Sequence, residues 1–273
     1  MTINKIKNLI PTKFQDALLT LSDRKRGRYA SVFDDDIFIT SYPKSGNTWL
    51  RFLIGYLVHG NTFTGFNNIE EKIPDIYVNK EYQLLKVNRP RILKSHEYFD
   101  HRYKNVIYIV RDPRDVVLSY YSFHQKVGSI EQNYPIEKYV EKFVDGNLDR
   151  YGSWEENVGS WIGARETSKH FLLVRYEDLL ENIELQLSNI ANFINIQVDD
   201  ESISKAIEFC SAKNMKKLER EQNNNWATTK NSRKDIAFVR SAKSGNWQNQ
   251  LPLSLAETIE ESWGSLMKKL GYL

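Results

Sequence analysis

The 273-residue sequence contains a single cysteine, Cys210, which excludes an internal disulfide framework and suits a reducing compartment. No apolar run approaches the roughly 18 residues of a membrane span. The stretch Trp49 to Val58 is too short and contains Arg51. The start, Met1-Thr-Ile-Asn-Lys-Ile-Lys7, lacks the apolar core of a signal peptide. These absences predict a cytoplasmic chain without stable membrane association. Charge of one sign is not in large excess either: 38 Lys and Arg stand against 35 Asp and Glu, a formal net charge of +3. That is too slight to imply nucleic-acid binding, and it suits an anionic ligand. No Asp/His cluster has metal-ligand spacing, so no metal site is expected. A hydrophobic fraction of 41% and an aromatic fraction of 12% are enough for a globular chain with a sizeable core.

What is present centres on Ile37-Phe-Ile-Thr-Ser-Tyr-Pro-Lys-Ser-Gly-Asn-Thr-Trp49. A short apolar run reads as a buried strand, Pro43 and Gly46 mark a turn, and an apolar segment of helical length follows. A strand, a tight loop and a helix in that order place backbone N–H groups around an anion, usually a phosphate. Lys44 adds charge, and Ser45, Asn47 and Thr48 add short polar side chains. The nucleotide-triphosphate loop needs two glycines five apart before its lysine, whereas here Lys44 precedes the only glycine. Arg91 to His96 reads as a second strand with a polar tip, Asn105 to Val110 as a third, and Phe171 to Arg175 as a fourth. In open α/β sheets ligands sit beyond the C-terminal ends of the strands, so Lys94 and His96 are well placed for chemistry. After the third strand, Asp112 suits a helix N-cap with Pro113 in the first turn. Arg111 then lies at the strand end and Ser119 about two turns into the helix. Helices are expected around Ile136 to Phe143, Trp154 to Ile162 and Ser254 to Leu270.

Several of these stretches resemble the motifs of sulfotransferases that use 3′-phosphoadenosine 5′-phosphosulfate (PAPS). Tyr42-Pro-Lys-Ser-Gly-Asn-Thr-Trp49 is similar to the family's 5′-phosphosulfate loop. Lys94-Ser95-His96 resembles its Lys-Thr-His element, and Arg111 with Ser119 its 3′-phosphate pair. Phe238-Val-Arg240-Ser-Ala-Lys-Ser-Gly245-Asn-Trp247 resembles a third motif, Arg-Lys-Gly-x-x-Gly-Asp-Trp, with Ser241 and Ala242 in place of Lys-Gly. Tyr176, in Tyr-Glu-Asp, corresponds to a tyrosine near the cofactor's adenosine, while Glu177 and Asp178 can equally cap the next helix. The phenylalanine that packs on adenine in the family is replaced by Ala212, and Cys210 reads as a small buried side chain. The family's dimer signature is largely absent, and the oligomeric state is left open.

The resemblance implies one α/β domain over residues 1–273, with a central parallel sheet flanked by helices and a P-loop-like phosphosulfate-binding loop. Residues 1–30 form a lead-in with a short helix around Phe14 to Leu21 and a basic cluster, Arg24-Lys25-Arg26-Gly27-Arg28. Residues 60–90 read as a surface excursion that in the family walls the acceptor pocket, and residues 222–240 as a mobile loop. The implied reaction moves the sulfuryl group of PAPS to a hydroxyl or amine of a small-molecule acceptor. His96 would be the general base, titrating near neutrality, with Lys44 and Lys94 stabilising charge. Ser45, Gly46, Asn47 and Thr48 would hold the 5′-phosphate beside Lys44; Arg111, Ser119 and Arg240 the 3′-phosphate; Tyr176 would lie near the adenosine, and Trp49, Ser241 and Ala242 would also contact the cofactor. Two rivals remain: a non-catalytic relative that binds 3′,5′-adenosine bisphosphate, and a P-loop nucleotide kinase that would need Mg²⁺. The acceptor pocket is expected from residues 60–90, 124–155 and 222–240, and none of these carries a readable acceptor label.

Overall fold

The computed structural model describes residues 26–222, 225–240 and 242–273; the expected helix around Phe14 to Leu21 lies outside them. Four parallel strands, β1 (Ile37–Thr40), β2 (Ile92–Ser95), β3 (Asn105–Val110) and β4 (Phe171–Arg175), form one sheet in the order β2-β1-β3-β4. β1, β2 and β3 are short runs buried on both sides, as parallel strands covered by helices must be, and β4 at the sheet edge is partly buried. Side-chain alternation divides the core in two. Phe38, Val106, Tyr108 and Val110 face one layer, with Tyr139, Trp154, Trp161 and Trp263. Ile37, Ile39, Ile107 and Ile109 face the other, with Leu53, Leu187 and Ile190.

The helices that supply these layers are α1 (Asn47–His59), α2 (Pro113–Val127), α3 (Ile136–Val144), α4 (Trp154–Arg165), α5 (Tyr176–Glu181), α6 (Ile183–Phe193), α7 (Asp200–Phe209), α8 (Ala212–Gln222) and α9 (Leu253–Lys269). Local chemistry sets where they begin. At α2, Asp112 accepts a hydrogen bond from the Arg114 N–H at 2.9 Å, with Pro113 in the first turn. At α4, Ser153 and Glu156 bond each other's backbone N–H groups reciprocally.

Register decides what the strand tips bring together. Thr40 sits opposite both Ser95 and Tyr108, and Val110 opposite Arg175. Ser41, His96, Arg111 and Tyr176 therefore all leave the sheet at its C-terminal edge. Buried side chains of α4 secure that edge. The Trp154 indole donates to the Arg111 carbonyl at 3.2 Å, Trp161 to the Glu97 carbonyl at 2.9 Å, and Asn157 to the His96 carbonyl at 3.0 Å.

Two expectations need correction. Residues 60–90 are not a loose surface excursion: Phe63, Phe66, Ile69, Ile73, Ile76 and Leu84 are buried. Residues 74–76 also pair with β2 through Lys94, whose N–H bonds the Pro74 carbonyl at 2.9 Å. The apolar residues there are spaced irregularly, because short turns rather than a long helix carry them, so no period was visible. Glu177 does not cap α5. Its carboxylate accepts from the Asp112 N–H at 3.2 Å, the Ser244 hydroxyl at 3.2 Å and the Tyr272 hydroxyl at 3.1 Å.

Candidate active site

Beyond the C-terminal ends of the strands lies a cavity of about 530 Å³, the position where open α/β sheets bind ligands. Lys44, Gly46, Asn47, Thr48, Trp49, Lys94, His96, Arg111, Ser119, Tyr176, Arg240 and Ala242 all line it. Ser241 lies outside the described residues. Ser45 does not line the cavity. Its side chain is fully buried, its hydroxyl has no partner, and its N–H bonds the Tyr42 carbonyl at 3.4 Å.

The loop before α1 is shaped by two positive φ angles, 69° at Lys44 and 100° at Gly46. Gly46 is required twice over. An L side chain is strained at that φ, and a Cβ there would meet the Tyr176 ring at 2.6 Å. Asn47 anchors the loop from inside, donating to the Ile39 carbonyl and the Ser41 hydroxyl, each at 3.2 Å. The N–H groups of the first turn of α1 have no intrahelical acceptor and carry the positive end of the helix dipole. Trp49 stands edge-on to Tyr176 and is fixed by its indole bond to the Cys210 carbonyl at 3.1 Å.

Lys44, Arg111 and Arg240 come together on the cavity. Lys44 sits between the rings of Phe123 and Phe238, 4.3 and 4.0 Å from their centroids. Burial, then Arg240 and Arg111, push its ammonium down to about 7. Arg240 donates to the Leu118 carbonyl at 2.9 Å and to the Gln250 side chain at 3.3 Å, both neutral acceptors. Its pKa is lowered by burial and by Arg111. Arg111 stacks on Tyr176, donates to the Lys243 carbonyl at 2.9 Å, and leaves its buried Nε without a partner. Lys44 and Arg240 thus gather positive charge beside Arg111 at one side of the cavity.

Asp115, absent from the sequence argument, builds the far wall. Its carboxylate takes the N–H groups of Gly245 at 2.7 Å and Trp247 at 3.1 Å, and lies 3.6 Å from Arg111. Asp115 thus clamps residues 243–247 onto α2. A second clamp holds residues 229–240. Lys126 donates to the Arg233 and Ile236 carbonyls, and Glu219 accepts from the N–H groups of Phe238 and Val239.

His96 presents one defined nitrogen. Its Nδ1 lies 2.7 Å from the Ser41 carbonyl, which only accepts, so Nδ1 carries the proton and Nε2 keeps a lone pair. The expectation of a titration near neutrality is corrected. Burial, with Lys94 adding repulsion, holds the imidazole well below 6.5, so it is neutral at physiological pH. Lys94 forms a 2.7 Å ion pair with Asp75.

Tyr77 stacks on the His96 imidazole and Tyr151 stands edge-on to it, and Tyr120, Phe123, Trp226 and Phe238 also line the cavity. Tyr77, Tyr151, Trp226 and Phe238 fall within the stretches expected to line the acceptor pocket. Tyr120 and Phe123 lie outside them, and their signal is the helical period of α2 beside Ser119. Among the described residues no helix is long and apolar enough to cross a membrane.

The comparisons agree with this geometry. The family described as "Sulfotransferase domain" matches residues 34–271. Sulfotransferase 1E1 of Bos taurus is 30% identical, with 86% of this chain and 84% of that protein covered. Amine sulfotransferase of Oryctolagus cuniculus is 27% identical, covering 87% of this chain and 82% of that protein. Among solved structures, retinol dehydratase in a complex with retinol and PAP has a TM-score of 0.74 at 17% identity, covering 87% of this chain and 82% of that one. Mouse sulfotransferase SULT7A1 complexed with PAP has a TM-score of 0.70 at 23% identity, covering 88% and 86%. These two share the fold. The domain match and the bovine relative establish the rest: the chain belongs to the sulfotransferase family.

Proposed function

We propose that this sulfotransferase moves the sulfuryl group of PAPS onto a hydroxyl or amine of a small-molecule acceptor in one in-line step, with His96 taking the acceptor proton. The observation that carries the proposal is the convergence of Lys44, Arg111 and Arg240 on one cavity, where, among the described residues, neither Lys44 nor Arg240 forms an ion pair with a carboxylate.

The residues fit the donor. A nucleotide with phosphates at both ends of its ribose needs two anion sites, and the cavity offers two. The loop from Lys44 to Thr48 and the first turn of α1 make one. Arg111, Ser119 and Arg240 make the other, where a planar guanidinium can meet phosphate with two parallel hydrogen bonds. Trp49 and Tyr176 offer aromatic surface for a base. PAPS, when bound, supplies the sulfuryl group. His96 Nε2 accepts the proton of the attacking hydroxyl or amine, while the Ser41 carbonyl holds the imidazole in the required tautomer. Lys44 stabilises charge on the leaving phosphate side and Lys94 on the transferring group. The rings of Tyr77, Tyr151 and Phe123 suit an acceptor with a flat apolar body. Cys210 is a buried free thiol, in keeping with a reducing, cytoplasmic setting.

The test is calorimetric. Binding of 3′,5′-adenosine bisphosphate should be tight without metal, stronger than that of ADP, and lost in Arg111→Ala. A preference for ATP with Mg²⁺ would overturn the reading in favour of a kinase. Bisphosphate binding without transfer to any of a panel of phenols, alcohols and amines would point to the non-catalytic relative.

A further inference from the structure

We propose that Asp75 is a positioning residue for the transfer, fixing the Lys94 ammonium at the tip of β2 through a buried ion pair. The inference rests on the role given to Lys94 above.

Four observations carry it. The Asp75 carboxylate meets Lys94 Nζ at 2.7 Å, and both side chains are almost fully enclosed, at 7% and 11% exposure. The two residues are also joined through their backbones, since residues 74–76 run parallel to β2 and the Ile76 N–H bonds the Lys94 carbonyl at 3.2 Å. Asp75 is itself immobilised. Its Oδ1 accepts from the Tyr77 N–H at 2.8 Å, and its own N–H donates to Glu70 Oε2 at 2.8 Å. Glu70 in turn accepts from Arg51 and from the Trp226 indole, each at 3.1 Å. Both oxygens of Asp75 are thus taken by the protein, although the residue lines the cavity. That favours a role through Lys94 over direct recognition of an acceptor. The same contact sets the height of Tyr77, whose hydroxyl accepts the His96 N–H at 3.0 Å. One carboxylate therefore braces the lysine directly and the histidine through Tyr77.

The charges facing Lys94 define what removal does. Asp75 and Glu70 favour its ammonium form; burial and Arg51 oppose it, and the balance lies below the ordinary 10.5. Lys44, His96 and the Tyr77 ring, 5.2 Å from Nζ, complete its surroundings. Without the Asp75 charge, Lys94 loses its proton at a lower pH. A buried opposite charge moves a neighbour by about one to three pH units.

The experiment compares the pH profile of kcat for wild type, Asp75→Asn, Lys94→Arg and the double variant. Asparagine keeps an acceptor for the Tyr77 N–H and removes the charge. Asp75→Asn should lower kcat at pH 8 by about tenfold or more and move the alkaline limb down by about one pH unit or more. Affinity for 3′,5′-adenosine bisphosphate should stay within about twofold. In the Lys94→Arg background, where the guanidinium does not titrate, Asp75→Asn should leave the limb unmoved. An unmoved limb in Asp75→Asn, or an equal shift with and without Lys94, overturns the assignment. Wild-type kcat in Lys94→Ala would overturn the Lys94 role itself, which separates the two failures.

Discussion

Binding of a 3′- or 5′-phosphate should draw a proton onto Lys44. In the free protein the ammonium is pushed down to about 7 by enclosure between Phe123 and Phe238 and by repulsion from Arg240 and Arg111. At pH 8 only about a tenth of the molecules then carry a charged Lys44. Phosphate bound against the loop supplies the missing counter-charge and raises the group back toward its ordinary 10.5. The sign follows: the bound state holds more protons, so binding takes up about 0.9 proton at pH 8. By the same linkage, affinity should fall nearly tenfold from pH 8 to pH 9. The phosphates add almost nothing in this range, because their second ionisation lies near pH 6. The assay is titration calorimetry with 3′,5′-adenosine bisphosphate in buffers of different ionisation enthalpy. Lys44→Arg is the control, since a guanidinium stays charged and should take up no proton. Zero uptake at pH 8 in the wild type, or equal uptake in Lys44→Arg, would refute the account.

Three further outcomes are expected. His96→Ala should lower kcat by about 10²- to 10⁴-fold with bisphosphate affinity retained; in the wild type, the imidazole's NMR midpoint should lie below the ordinary 6.5, because burial disfavours its charged form. Full activity would sink the base assignment, and a midpoint near 6.5 would overturn the account of a buried, neutral imidazole. Gly46→Ala should cost about 1–3 kcal/mol and lower the melting temperature by several degrees, because a Cβ would sit 2.6 Å from Tyr176 at a φ of 100°; an unchanged melt would show that the loop adapts freely. Asp115→Asn should weaken bisphosphate binding by about fivefold or more, since the charge that orders the Gly245 and Trp247 N–H groups is removed and one of the two accepting oxygens becomes a donor; unchanged affinity would mean that residues 243–247 hold their shape without it.

Much of the scaffold is written locally. The strands at Asn105 to Val110 and Phe171 to Arg175 are compact apolar runs, and Asp112-Pro113 announces a helix start, because strand burial and N-capping act within a few residues. The loop at Lys44 to Thr48 was readable for the same reason: positive φ, a glycine and a following helix are features of one short segment.

The rest depends on residues far apart in the chain. Asp115 marks no motif, and its importance arises because residues 243–247 return to α2. Asp75 became a partner of Lys94 only when residues 74–76 added to the edge of β2. His96 shows the division most clearly. Its place at a strand tip, and so its candidacy, came from the sequence. Its tautomer came from the Ser41 carbonyl, and its neutrality from burial beside Lys94. Short-range sterics and hydrogen bonding determine elements and loops, so the amino-acid order is enough for them. Charge state depends on desolvation and on every neighbour within several ångströms, and only the packed tertiary structure decides that.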